Sequence, residues 1–163
     1  MYVFVYGTLK RGCPNHYVIE NKDNGAAEYV SDGKTKDLFP LIVTTKYEVP
    51  FLLDKRGHGK NVSGEIYKID DKMLQFLDKF EHNPDVYIRE EAEIEIIPPT
   101  NGHPKTVTAW IFVFHSFRDD LLDEEYFENY ICNNYDVLRS ISGKVSPEER
   151  KQLLDTLRKE IGS

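Results

Sequence analysis

Two long runs of β-branched and aromatic residues, Val86–Ile97 and Lys105–Phe114, flank the turn-rich octet PPTNGHPK (98–105) and constrain the fold more than any other feature. Further strand-like segments precede them at Tyr2–Tyr6, Ala27–Lys36, Leu41–Thr44, Phe51–Leu53 and Asn61–Ile69, punctuated by Gly33, Pro40 and Pro50. So many strands with few helices between them predict an α+β fold. Its centre is a small, mainly antiparallel β-barrel with a few peripheral helices. A chain of 163 residues with 40% hydrophobic content can bury one such core, and no internal repeat or linker divides it.

The first strand reads as apolar on both faces and stops at Gly7, where YGTLKRG (6–12) turns polar and basic. Gly64 interrupts the strand NVSGEIYKI (61–69), as expected of a bulge or a close backbone approach. DDKMLQFLDKFE (70–81) is the clearest helix: Asp70 or Asp71 can cap it, and Met73, Leu74, Leu77 and Phe80 recur at helical spacing. A short helical piece is expected around His16–Glu20. At the far end, Ser146-Pro147-Glu148-Glu149 opens a C-terminal helix with Leu153, Leu154, Leu157 and Ile161 on one face. The expected organisation is therefore a domain over residues 1–140 and an amphipathic helix within 141–163 packed on it.

Charge and cysteine usage exclude several functions. A formal charge of −7, with basic residues spread among acidic ones, argues against a nucleic-acid or membrane-surface partner. The apolar start is too short for a signal segment or a membrane span. The two cysteines, Cys13 and Cys132, fit no metal-ligand spacing and predict no disulfide framework, so a cytoplasmic, reducing location is expected. The five histidines show no metal-binding pattern, and no metal or cofactor is expected. Cys13 lacks a recognisable base beside it and reads as a turn residue rather than a nucleophile.

Two places could carry chemistry. A strand ending in Gly-Thr can aim successive backbone N–H groups at one point, a concavity for a carboxylate or phosphate. A plain tight turn is the commoner meaning of such a glycine. Glu81 follows Leu77 by four residues, which places its carboxylate on the apolar stripe in the last helical turn. Desolvation first and the helix dipole second would raise its pKa, as a general acid–base group requires. A glutamate at a helix end paired with Arg89 or a lysine fits the same pattern, and the pattern alone admits both.

Taken together, VFVYGTLKRGCPNH (3–16), VPFLLD (49–54), VSGEIYKID (62–70) and MLQFLDKFEHNPDVYIRE (73–90) closely resemble the gamma-glutamylamine cyclotransferases. These belong to the AIG2-like, gamma-glutamylcyclotransferase-like superfamily, and the resemblance runs over about residues 2 to 115. It implies a cofactor-free barrel in which Tyr6, Gly7, Thr8 and Leu9 bind the gamma-glutamyl group and Glu81 is the acid–base catalyst. Pro50, Phe51 and Tyr87 are the candidates for the leaving-group side. The implied reaction cyclises gamma-glutamyl-epsilon-lysine, or a similar gamma-glutamylamine, to 5-oxoproline and the free amine. The KRGxPNH continuation favours this substrate over gamma-glutamyl amino acids or glutathione, and Glu81 on an apolar face argues against a non-catalytic binding module. The implied protein is a monomer with a small-molecule partner. Phe114 stands where related enzymes often have a tyrosine.

Overall fold

The computed structural model describes residues 1–44, 49–99 and 101–132, together with Glu148, Gln152, Asp155 and Lys159. Five strands close a barrel in the order β1 (Tyr2–Val5), β5 (Ser63–Ile69), β2 (Ala27–Thr35), β6 (Tyr87–Ile97) and β7 (Thr106–Phe114). The remaining two, β3 (Leu41–Thr44) and β4 (Val49–Leu52), form a separate antiparallel pair. That pair reaches the barrel through a bridge between Leu53 and Phe114. Every barrel pairing is antiparallel except the closure, where β1 runs parallel to β7 at Val3 and Trp110.

The long hairpin anticipated from sequence pairs Tyr87 with Phe114 at one end and Glu95 with Thr106 at the other. The first strand is apolar on both faces because each face meets its own core. Val3 and Val5 join a cluster that includes Met73 and Leu77, whereas Phe4 packs with Ile66, Ile94 and Ile111. Period-two alternation therefore feeds two cores from one short strand. Gly64 marks a close approach: a Cβ there would lie 2.3 Å from the Val5 carbonyl oxygen. The irregularity in the sheet falls elsewhere, between Tyr29 and Ser31 of β2.

Helices α1 (Tyr17–Glu20) and α2 (Asp71–Phe80) flank the barrel. Asp70 caps α2, its carboxylate accepting from the N–H of Met73 at 2.9 Å and of Ala26 at 3.0 Å. These bonds hold the Asp70 carboxyl below its usual pKa. After β7 the chain makes a 3-10 turn at Asp119–Asp123 and then crosses back over the molecule. Phe127 donates to the carbonyl of Leu41, the carbonyl of Glu128 accepts from Ser63, and Tyr130 is buried. The expected C-terminal helix falls mainly outside the described residues. Of it, Glu148, Gln152, Asp155 and Lys159 are helical and exposed.

Candidate active site

Glu81 is the residue at which α2 stops, and the sequence that follows sets how it stops. His82 adopts a left-handed conformation (φ 52°) and donates to the carbonyl of Lys79, while Asn83 donates to that of Asp78. This double bond pattern is a Schellman ending. It fixes the Glu81 backbone one turn beyond Leu77, whose carbonyl Glu81 N–H contacts at 2.9 Å. The Glu81 side chain is half-buried. Asp78 then ties the helix end to β6, with its Oδ1 2.8 Å from Arg89 Nε and 3.3 Å from Asn83 Nδ2. The Arg89 contact is one of charge rather than an aligned hydrogen bond. The guanidinium also lies 4.2 Å over the Trp110 ring, so Arg89 serves Asp78 and Trp110.

The loop after β1 is a compact series of turns. Lys10 donates to the carbonyl of Gly7, Cys13 to that of Lys10, and Asn15 to that of Thr8. Among the described residues, the N–H groups of Gly7, Thr8 and Leu9 donate to no backbone carbonyl of these turns. They are the donors a bound anion could collect. Gly7 is required for a reason other than a positive φ: a Cβ there would stand 2.9 Å from Pro50 Cγ. The missing side chain thus lets β4 lie against the loop, and Gly7 and Pro50 come together for that reason.

Loop and helix end converge at Tyr6. Its hydroxyl donates to the carbonyl of Phe112 at 2.5 Å. Burial first, then the proximity of Tyr87 and Glu81, push its pKa well above the usual tyrosine value, so it stays neutral. Tyr87 is buried and meets the Phe114 ring edge-on at 5.7 Å, and Phe51 meets the same ring edge-on at 5.5 Å. Phe114 is 1% exposed within this aromatic stack. Leu9 is buried, and Thr8 is half-buried.

The structure corrects the reading of the cysteines. Cys13 and Cys132 form a disulfide, with Cα atoms 5.9 Å apart and a sequence separation of 119. Cys13 is therefore neither a free thiol nor a simple turn residue. The bond locks the loop to the segment that crosses back over the molecule. Lys10 reinforces the lock, its ammonium donating to Asn129 Oδ1 at 2.7 Å and to the Tyr130 carbonyl at 2.6 Å. Burial lowers the Lys10 pKa, while Glu65 and Asp32 oppose that shift.

Glu65 is a residue the sequence reading passed over. Its buried carboxylate accepts from the Arg11 N–H at 2.9 Å, from Arg11 Nε at 3.1 Å and from the Tyr67 hydroxyl at 3.0 Å. The Glu65 bond holds the Arg11 pKa up, and burial followed by Glu65 raises that of Tyr67. The signal available was an acidic residue inside the apolar strand SGEIYKI, where a carboxylate needs partners.

The family profile described as Gamma-glutamyl cyclotransferase, AIG2-like matches residues 3–131, which span both halves of this arrangement. The chain belongs to the AIG2-like gamma-glutamyl cyclotransferase family. Among members of that family, Gamma-glutamylaminecyclotransferase C of Danio rerio is 43% identical over 132 residues, covering 81% of this chain and 87% of the zebrafish protein. The Homo sapiens Gamma-glutamylaminecyclotransferase is 38% identical over 116 residues, covering 69% and 76%. The crystal structure of an AIG2-like protein from Mus musculus superposes with a TM-score of 0.74 at 34% identity, covering 82% of this chain and 89% of that one. The cyclotransferase barrel and the motifs within it thus account for most of the chain.

Proposed function

We infer that the loop and the helix end act as one site that closes a gamma-glutamyl group into 5-oxoproline and releases the attached amine. The chain is an enzyme of the cyclotransferase type. The observation that carries the assignment of roles is the meeting at Tyr6, where the electrostatic influence of Glu81 and Tyr87 reaches the residue that leads into Gly7-Thr8-Leu9.

The chemistry needs little more than these parts. The substrate carries its own nucleophile, the α-amine, within ring-closing reach of the γ-carbonyl carbon. Holding the chain bent turns attack into an intramolecular step of high effective molarity. The N–H groups of Gly7, Thr8 and Leu9 anchor the α-carboxylate. The Glu81 carboxylate takes a proton from the α-ammonium, the freed amine attacks and the C–N bond of the ring forms. As the bond to the γ-carbon breaks, the proton held by Glu81 and the second proton shed by the ring nitrogen both pass to the departing amine, which leaves as an ammonium. Pro50 and Tyr87 border the leaving-group side. Attack by the substrate's own amine calls for no cofactor or metal.

The leaving amine best supported by the relatives' names is that of a gamma-glutamylamine. We take the lysine ε-amine of gamma-glutamyl-epsilon-lysine as the leading case on the sequence resemblance. We read the protein as a cytoplasmic monomer acting on a small molecule, without nucleic acid. Among the described residues no helix is long and apolar enough to cross a membrane. In a reducing cytoplasm the Cys13–Cys132 bond becomes a variable of the enzyme rather than a constant.

A 5-oxoproline release assay comparing gamma-glutamyl-epsilon-lysine, a gamma-glutamyl α-amino acid and glutathione tests this function. Release from the lysine isopeptide is expected to dominate. Equal or faster release from glutathione moves the substrate, and no release from any of the three by folded protein overturns the enzymatic reading.

A further inference from the structure

Asn15 lies outside the motif that binds substrate in the reading above, yet it holds that motif at two points. Its N–H donates to the Thr8 carbonyl at 3.0 Å, and its side-chain Nδ2 donates to Thr8 Oγ1 at 2.9 Å. The residue is 2% exposed, and its Oδ1 is buried without a hydrogen-bond partner among the described residues. A buried amide that leaves its oxygen unsatisfied is retained at a cost, so its nitrogen must be doing something an apolar side chain could not.

An amide N–H can only donate, so it takes a lone pair of the Thr8 hydroxyl and leaves that hydroxyl's own proton to point elsewhere. Thr8 then offers two donors on the loop, its backbone N–H and its O–H. Without Asn15 the hydroxyl could rotate and present a lone pair instead. A group that only accepts, such as a carboxylate, suits the first arrangement. A carboxamide, which brings N–H donors of its own, suits it less.

We propose that Asn15 is a positioning residue that fixes the Thr8 hydroxyl as a donor and thereby makes the site select gamma-glutamyl substrates with a free α-carboxylate over their α-amides. This rests on the reading that the Gly7–Leu9 loop holds the α-carboxylate.

The experiment measures lysine release from gamma-glutamyl-epsilon-lysine and from its glutamyl α-carboxamide. It uses wild type, Asn15→Leu, Asn15→Asp, Thr8→Val, Thr8→Ser and the Asn15→Leu/Thr8→Val double variant. A hydrogen bond to a charged group is worth about tenfold or more, so the wild-type preference in kcat/KM for the acid should fall by about that factor in Asn15→Leu and Thr8→Val, chiefly through KM. The double variant should fall no further than Thr8→Val alone, and Thr8→Ser should keep the preference. Asn15→Leu removes the unsatisfied oxygen as well as the donor, so its melting temperature should stay close to that of wild type.

Asn15→Asp keeps the shape but can only accept, which draws the Thr8 proton inward, and it should lose the preference too. Retention of the preference in Asn15→Asp, or equal losses on acid and amide in Asn15→Leu, overturns the proposal. Where Asn15→Leu fails to fold, Asn15→Asp and Thr8→Ser decide it. Wild type that releases lysine from neither compound sinks the parent reading instead, a result distinguishable from an active enzyme with an unaltered preference.

Discussion

The helix end that presents Glu81 is tied down by its sequence neighbours, whereas the loop that presents Gly7, Thr8 and Leu9 is tied down largely from afar. His82 and Asn83 close the helix on carbonyls three and five residues back, and Asp78 reaches Arg89 eleven positions on. The loop is held by Glu65, 54 residues from Arg11, by Asn129 and Tyr130 through Lys10, and by Cys132 through a disulfide. The first kind of anchorage forms with the local fold, and the second exists only once the barrel has closed. Damage to the helix end should therefore read out in chemistry, and damage to the loop's anchors in stability and substrate affinity.

The largest expected effect breaks the chemistry and leaves the rest. Glu81→Gln removes the proposed acid–base group and should lower kcat by about 10²–10⁴-fold, with the melting temperature nearly unchanged. Near-normal turnover by that variant would remove Glu81 from the mechanism.

Cys132→Ser, or reduction of wild type, releases the loop from the crossing segment. A cross-link spanning this much chain contributes about 2–5 kcal/mol, chiefly by restricting the unfolded state. The expected result is a clear drop in melting temperature on adding dithiothreitol to wild type and no such drop in Cys132→Ser. Equal melting curves for wild type with and without reductant would show that the bond contributes nothing.

Glu65→Gln sharpens the contrast further. It leaves Arg11 without its carboxylate and should cost about 1–3 kcal/mol. Steady-state kinetics should show KM rising more than kcat falls, the reverse of Glu81→Gln. A fall in kcat alone would place Glu65 in the chemistry.

The smallest effect concerns the start of α2, where Asp70 joins a local bond to Met73 with one to Ala26, 44 residues away. The Asp70 pKa is depressed in the folded state by its bonds to Met73 and Ala26. Its contribution is thus present above the ordinary aspartate value of 3.8 and is lost as pH falls through the lower folded value. Asp70→Ala should melt slightly below wild type at neutral pH, and the gap should close in strong acid. A gap that persists there would assign the effect to something other than the cap.

The comparison also explains which parts of the fold were legible beforehand. The hairpin of β6 and β7, the bounds of α2 within a residue and the short α1 follow from alternation, helical spacing and capping, all of which act within a few residues. Gly64 signalled a close approach because strand glycines are few and expensive. The disulfide was misread because its cysteines carry no spacing signal at a separation of 119. Glu65 went unnoticed because a carboxylate in a strand looks the same whether its partner is water or an arginine brought from another turn of the chain.

The amino-acid sequence by itself determined the strands, the place where α2 begins and ends, and hence where Glu81 stands on the backbone. Hydrogen bonds and apolar periodicity decide these over distances of three to five residues. Only the tertiary structure decided that Pro50 would fill the space Gly7 leaves, that Glu65 would clasp Arg11, and that Cys13 would meet Cys132. Those contacts join segments whose separation is set by barrel closure, and no local preference encodes which residues closure will bring face to face.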